Sequence, residues 1–268
     1  MATSICTFNV NSIRSRIDLI SRWLKEKREV DILCLQETKC EAEQFPYEAF
    51  DSLGYSSAVN GQKRLNGVAI CSKLPMKSVK TEFGNEVLDR EKRLIEAKIG
   101  DVTILNCYVP RGGEEESERF YYKMEFFDAL KEYTEKLFEK SGMVILLGDF
   151  NVALDEKDVY DPAVFEGAVG FLPAEQEKMR ALLETGLRDC YRKLHPEGRS
   201  FTWWDYRNAG IWRDEGMRID YILASEALCK ECTSIEVDLW TRRRRSPTPS
   251  DHAPLVAGFS SFDAIGAG

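Results

Sequence analysis

The residues with chemistry to offer sit at the ends of apolar runs. Met143-Val-Ile-Leu-Leu leads through Gly148 into Asp149-Phe-Asn151. The first apolar run closes on Asn9 and Asn11, the second on Glu37, and a later one on Tyr108. Asp220 lies within Arg218-Ile-Asp-Tyr221, and Asp251-His252 open the last run. A carboxylate and an amide just beyond a buried strand are costly unless water, metal or substrate satisfies them. Taken alone, Gly148-Asp-Phe-Asn151 reads equally as a strand-to-loop exit with turn-forming polar residues. Singly, Tyr108 reads as a wall of the core, Asp251 as a turn residue and Glu37 as the approach to a helix. Together these carboxylates and amides, a Tyr and one His suit a particular chemistry. Hard oxygens suit Mg2+ or Mn2+. Asn, His and Tyr donate hydrogen bonds to phosphate oxygens, and Asp149 can activate a water. The inventory has no Ser nucleophile with a base and no His cluster for zinc. It is that of a metal-assisted phosphodiester hydrolase.

These side chains act together only if their strand ends meet, as strand ends do in α/β folds. Ser4–Val10 alternates like a strand, and Asn11 or Ser12 can cap the helix that follows. Ile13, Ile17, Ile20 and Leu24 recur at helical spacing. Asp31–Glu37 is the next strand, which completes a β-α-β unit. Strands follow around Tyr55–Val59, Gly67–Ser72, Leu94–Ile99 and Val102–Val109. Asn66-Gly67 and Gly100-Asp101 supply turn chemistry between them. Glu114 to Glu118 reads as the solvated approach to a long amphipathic helix marked by Phe120, Met124, Phe127, Leu130 and Leu137. After the Met143 strand, Asp155 to Gly170 is irregular. Ala174–Thr185 is a helix stopped by Gly186. Ser200–Trp204, Met217–Leu223, Ile235–Trp240 and Leu255–Phe259 read as strands, with a polar loop from Arg207 to Gly216. Without a repeat, a linker or a second core, the expectation is one α/β domain over residues 1–260. The small-residue tail 261–268 is expected to fray.

The chain has 268 residues, 43% hydrophobic and 31% charged, ample for a sizeable core. No apolar run approaches bilayer-spanning length, and the N-terminus carries no secretory pattern, so a cytoplasmic protein is expected. The eight cysteines are scattered, several within apolar runs, as in a reducing compartment. Cys229-Lys-Glu-Cys232 is a lone C-x-x-C beside only two histidines, which argues against zinc. The net charge of −8 does not advertise nucleic-acid binding. Arg242 to Arg245 are the local exception, readable as a solvated loop or as a contact to a phosphate backbone.

Phe8-Asn-Val-Asn11, Leu35-Gln-Glu-Thr-Lys39, Gly67-Val-Ala69, Tyr108-Val-Pro110, Leu147-Gly-Asp-Phe-Asn151, Phe201-Thr-Trp-Trp-Asp-Tyr206, Met217-Arg-Ile-Asp220 and Ser250-Asp-His-Ala-Pro254 occur in that order. In sequence and order they resemble the exonuclease III-type apurinic/apyrimidinic endonucleases, within the endonuclease/exonuclease/phosphatase superfamily. The resemblance implies a four-layered α/β sandwich: two mixed β-sheets face to face, with helices outside. It implies Mg2+-dependent incision of duplex DNA 5′ to abasic sites, with 3′→5′ exonuclease and 3′-phosphatase activities; Mn2+ would substitute. The implied partner is double-stranded DNA with abasic sites or blocked 3′ ends, met by a monomer away from membranes.

By position, the resemblance makes Glu37 the main metal ligand, with Asn11 and Asp251 beside it. Asp149 deprotonates the attacking water, helped by Asn151. His252, held by Asp220, contacts the scissile phosphate, and Tyr108 and Asn9 support the phosphate or the leaving oxygen. Trp203, Met217 and Ile219 wall the sugar pocket. Lys39, Arg14, Lys63, Arg64 and Arg207 are candidates for backbone contacts. Met217 stands where some members carry an aromatic residue. Arg111 stands where many carry Asn or Gln, and there it can reach a DNA phosphate. The Arg242–Arg245 run lies outside the family pattern and is expected to raise DNA affinity and its salt dependence. The competing readings are another superfamily branch acting on RNA or small phosphoesters, and a DNA-binding protein without catalysis.

Overall fold

In the computed structural model, which describes residues 2–260, the strands form two six-stranded sheets. Numbered in chain order, the first sheet holds β1 (Thr3–Asn9), β2 (Ile32–Gln36), β3 (Ser56–Asn60), β4 (Val68–Ser72), β11 (Cys232–Val237) and β12 (Leu255–Phe259). Its order is β11-β12-β1-β2-β4-β3. The second sheet holds β5 (Met76–Lys80), β6 (Leu94–Ile99), β7 (Val102–Tyr108), β8 (Val144–Asp149), β9 (Leu187–Asp189) and β10 (Asp220–Ser225). Its order is β5-β6-β7-β8-β10-β9. Both sheets are mixed, with β1 parallel to β2 and β7 parallel to β8 among antiparallel neighbours.

The layers follow from strand alternation. Ile145 and Leu147 of β8 face the other sheet and join Ile5, Cys34, Ile70, Ile104, Ile222 and Leu255 in a shared core. Val144 and Leu146, one residue out of phase, face outward and meet Phe126, Phe127, Leu130 and Leu137 of the helix Glu118–Lys140. On the far side, the helix Ile13–Glu26 lays Ile13, Ile20 and Trp23 on Phe8, Leu33 and Leu35. Each such aliphatic side chain contributes about 1.5–3 kcal/mol by leaving water. The expected four layers are therefore present, and β8 is buried on both faces as its continuous apolar run implies.

Several local expectations change. Ser200–Trp204 is not a strand; Trp203 makes only isolated bridges to Met217 and His252. The strand expected from Met217 starts at Asp220, because Met217 and Ile219 turn to line a cleft. The strand expected at Ile235–Trp240 is shifted back to Cys232–Val237, and a short helix, Leu239–Arg242, follows it. β5 and β9 carry no apolar alternation; one is an exposed edge and the other three residues long. Ser12 is the helix N-cap, yet no side chain caps it, and the Asn11 amide turns into the cleft instead. The tail 261–268 lies outside the described residues. Among the described residues, no helix is long and apolar enough to cross a membrane.

Candidate active site

Topology gathers the polar residues. A parallel pair carries both of its carboxyl ends to one side, so Asn9 aligns with Gln36 and Tyr108 with Asp149. Glu37 follows Gln36 directly. Antiparallel β10 begins where β8 ends, and Asp220 pairs in register with Asp149. Ser250-Asp-His252 leads into β12, which runs antiparallel to β1. The two sheets thus place all these ends around one cleft. Gly148 sets the last step of β8: at φ 144, an added Cβ would lie 1.9 Å from the Cys107 carbonyl of β7. Glu37, Lys39, Asn11 and Asn151 adopt left-handed φ values of 53, 52, 45 and 51. Such backbone costs of order 1–3 kcal/mol each at non-glycine residues and persists where surrounding bonds hold it.

Those bonds are dense. The Asn9 side-chain amide donates to Glu37 Oε1 and to Asp149 Oδ2, both at 2.8 Å. One amide therefore joins a carboxylate of the first sheet to a carboxylate of the second. Asp149 Oδ1 accepts the Asn151 backbone N–H at 2.9 Å. His252 Nδ1 lies 2.8 Å from Asp220 Oδ2, and its Nε2 lies 3.7 Å from Asp149 Oδ2. The other Asp220 oxygen has no partner among the described residues. Asp251 accepts from the Asn11 amide at 3.0 Å and the Trp203 indole at 3.1 Å. Ser250 Oγ donates to the Asn9 carbonyl at 2.7 Å, which ties the last loop to β1.

The environment sets the protonation states. Burial pushes Asp149 upward, and despite the opposing pull of His252 its carboxyl reaches about 7. Burial disfavours a charged His252, yet Asp220 and Asp149 lift the ring to about 10. Burial works to raise Glu37 too, but Lys39 and the Asn9 amide hold it below the ordinary carboxylate range. Burial works to raise the half-buried Asp251 as well, but His252, Asn11 and Trp203 hold it low. Burial, with Glu37 and Asp149 nearby, holds the Tyr108 hydroxyl well above its ordinary value. Near neutral pH the site thus offers a carboxyl poised between its two states, an imidazolium and a protonated phenol.

Two arrangements could hold a metal. Oxygens of Asp149 and Asp220 and a nitrogen of His252 lie within 4.8 Å of one another. This group suits a metal poorly, because His252 Nδ1 is committed to Asp220 and a protonated ring offers no lone pair. Glu37 Oε2 and Asn11 Oδ1 fit better. Both converge on the Lys39 ammonium, each at 2.7 Å, so a cation already marks the point they share.

A cavity of about 290 Å³ adjoins these groups, lined by Asn11, Glu37, Tyr108, Asn151, Asp251 and His252. Its remaining wall is Arg111, Val169, Gly170, Trp203, Met217 and Ile219. A larger depression of about 860 Å³ around Leu154–Lys157 and Pro173–Arg180 shares no lining residue with it and holds none of this chemistry. Arg14, Lys63, Arg64 and Arg207 are exposed and do not line the cleft. Arg207 folds back on Asp205. The Arg242–Arg245 run is not one free patch: Arg242 is buried, Arg243 and Arg245 are exposed, and Arg244 lies 4.0 Å from the Trp240 ring centre.

Supporting residues also surround the cleft beyond those expected from the sequence. Lys123 is fully buried, bonded to Glu175 at 2.7 Å and to the Asn151 and Arg111 carbonyls at 2.8 and 3.2 Å. Its signal was available: a Lys three residues after Phe120 and four before Phe127 sits on the helix's apolar stripe. Arg218 turns away from the cleft to Asp158 and Asp189, at 2.6 and 2.7 Å, which leaves Met217 and Ile219 facing it. The bond from Gln36 to Asn106, 2.7 Å, joins the sheets beneath the site. It had no local signal, since its partners are distant in sequence.

A family model described as the endonuclease/exonuclease/phosphatase family matches residues 6–252. Exodeoxyribonuclease III of Haemophilus influenzae is 35% identical over 265 residues, covering 94% of this chain and 98% of that protein. A solved 3′ phosphatase, NExo from Neisseria, bound to a product DNA hairpin, superposes with TM-score 0.93 at 37% identity. That match covers 97% of this chain and all of the other. An AP endonuclease from Archaeoglobus fulgidus superposes with TM-score 0.91 at 39% identity, with the same coverage.

Proposed function

This chain belongs to the endonuclease/exonuclease/phosphatase family, and on that footing we propose that it is a Mg2+-dependent DNA-repair phosphodiesterase. In this reading it incises duplex DNA 5′ to abasic sites and trims 3′ ends as exonuclease and phosphatase. The relatives support the substrate class, being an exodeoxyribonuclease, a DNA-bound 3′ phosphatase and an AP endonuclease. The observation that carries the chemistry is the Asn9 amide held between Glu37 and Asp149, with His252 beside Asp149 and braced by Asp220.

Glu37, Asn11 and Asp251 would hold the divalent cation, on the side of the cleft that Lys39 now fills. When bound, it supplies charge neutralisation at the phosphate. The protein's own groups do the rest. Asp149 takes the proton of the attacking water, and a carboxyl near 7 is well matched to that task. Asn151 fixes its other oxygen. The His252 imidazolium donates to a non-bridging phosphate oxygen, and Asp220 fixes which ring nitrogen faces the substrate. Tyr108 stays protonated and donates toward the leaving oxygen. Asn9 keeps the base and the metal side at a fixed separation, since phosphoryl transfer depends mainly on positioning. Trp203, Met217 and Ile219 form the wall for a base-free sugar, and Arg111 stands at the rim to meet a phosphate. Lys39, Arg14 and Arg207 contact the DNA backbone in this reading.

The test is incision of a duplex oligonucleotide carrying one abasic-site analogue, and of a second duplex ending in a 3′-phosphate. Both should be processed with Mg2+ and left intact in chelator. Asp149→Asn should slow cleavage by about 10²- to 10⁴-fold. Cleavage that persists in chelator, or full activity in Asp149→Asn, would remove the mechanism. Failure on both duplexes would remove the substrate assignment.

A further inference from the structure

Arg242 opens the arginine run but does not behave as a surface arginine. It is 5% exposed, at the end of the short helix Leu239–Arg242. Its Nε donates to the Asp251 carbonyl at 3.2 Å, and its Nη2 donates to the Trp204 carbonyl at 3.1 Å. Among the described residues no carboxylate lies within ion-pair distance of it. Its guanidinium lies 5.3 Å from the ring centre of Tyr206, whose hydroxyl donates to the Pro249 carbonyl at 2.8 Å. A buried cation with carbonyls as its partners adds little net stability, because desolvation offsets its bonds. It adds geometry.

The two carbonyls belong to different segments, and both carry cleft residues. The Asp251 carbonyl also accepts the Trp204 N–H at 3.0 Å, while the Asp251 carboxylate accepts the Trp203 indole at 3.1 Å. Trp203 bridges in turn to His252 and Met217. We propose that Arg242 is a positioning residue that locks the Trp203-Trp204 segment to the Asp251-His252 segment, and so fixes the pocket wall against the phosphate-binding side. This rests on the reading of the cleft as a phosphodiesterase site. It separates Arg242 from Arg243 and Arg245, whose exposed charges remain available to a polyanion. The contact uses two nitrogens of a planar fork, which the single nitrogen of a lysine cannot reproduce.

Arg242→Lys keeps the charge and is the informative variant. Three readouts are needed: the Trp203 indole N–H resonance without DNA, kcat and KM on the abasic duplex, and the salt slope of DNA binding. The expected result is a shifted indole resonance and kcat lower by about 10- to 100-fold, since misplacement of about 1 Å can cost that much. KM should change less than kcat, and the salt slope should stay as in the native protein. The paired variant Arg243→Ala/Arg245→Ala calibrates the slope, at about 0.9 lost for each phosphate contact removed. An unmoved indole resonance with native kcat overturns the proposal, as does a slope reduced as in the paired variant. If Arg242→Lys does not fold, Arg242→Gln takes its place with the same readouts. Loss of the phosphodiesterase reading alone would appear as no cleavage by the native protein, with the indole shift of the variant intact.

Discussion

Asp149 and His252 illustrate how two titrating groups can share a site without cancelling each other. A carboxylate directly against an imidazolium is normally pulled low; here burial reverses that for Asp149 and brings it to about 7. His252 keeps its proton because two carboxylates face it, one at 2.8 Å and one at 3.7 Å. In the proposed mechanism the base is competent when Asp149 is ionised, at pH above about 7, and the phosphate donor is competent while His252 is protonated, below about 10. The rate should therefore rise through the first value and fall through the second. The two apparent values belong to the coupled pair and not to either residue alone. A pH profile of kcat/KM on the abasic duplex checks this, and Asp220→Asn should draw the alkaline limb inward. That substitution removes the carboxylate that does most to lift the ring. An alkaline limb that stays in place would mean that Asp220 does not hold the proton on His252.

At the scale of elements, the site depends on how closely β7 and β8 approach at their ends. Gly148→Ala would place a methyl 1.9 Å from the Cys107 carbonyl, a backbone atom that cannot swing aside. The variant should lose about 3 kcal/mol or more of stability, or part the two strands and displace Asp149. Chemical denaturation measures the first outcome and abasic-duplex cleavage the second; native values in both would show that the strand ends are slack. The same elements mark what a sequence can tell. Strongly patterned ones were legible: β8 by its apolar run, the helix Glu118–Lys140 by its stripe, and the polar strand ends by their contrast with the residues before them. Elements formed by pairing alone were not. β5 and β9 exist because a neighbouring strand completes their hydrogen bonds, and three residues are too few to show alternation. The 200–204 segment has strand-like composition but spends its backbone bonds on Met217, Asp251 and Ala253. In the sequence Arg242 reads with its neighbours as one basic run, since nothing local distinguishes a buried arginine from exposed ones. Asn11 misled in a similar way: an Asn before a helix is a good cap, but Asp251 and Lys39 claimed its side chain.

For the whole molecule, the cleft and the core are one problem. The inner faces of both sheets contribute to a single apolar cluster, so neither sheet is covered without the other. The polar ties run the same way. Asn9 to Asp149 and Gln36 to Asn106 each join one sheet to the other. Asn106 also donates to the Leu35 and Ala69 carbonyls of the first sheet, at 3.0 and 2.9 Å. Separating the sheets would expose the apolar cluster and leave these groups to be re-satisfied together. The chain should therefore unfold as one unit although it is longer than most two-state domains. Native-state hydrogen exchange is the suitable measurement, with the amides of β1 and β2 compared with those of β7 and β8. Both sets should share the same highest opening free energy. Asn106→Ala should lower that value by about 1–3 kcal/mol in both sets at once, because it strands buried partners on the opposite sheet. A drop confined to β7 and β8 would mean that the sheets open separately, and Asn9 would then be bridging two units whose spacing is not fixed by the core.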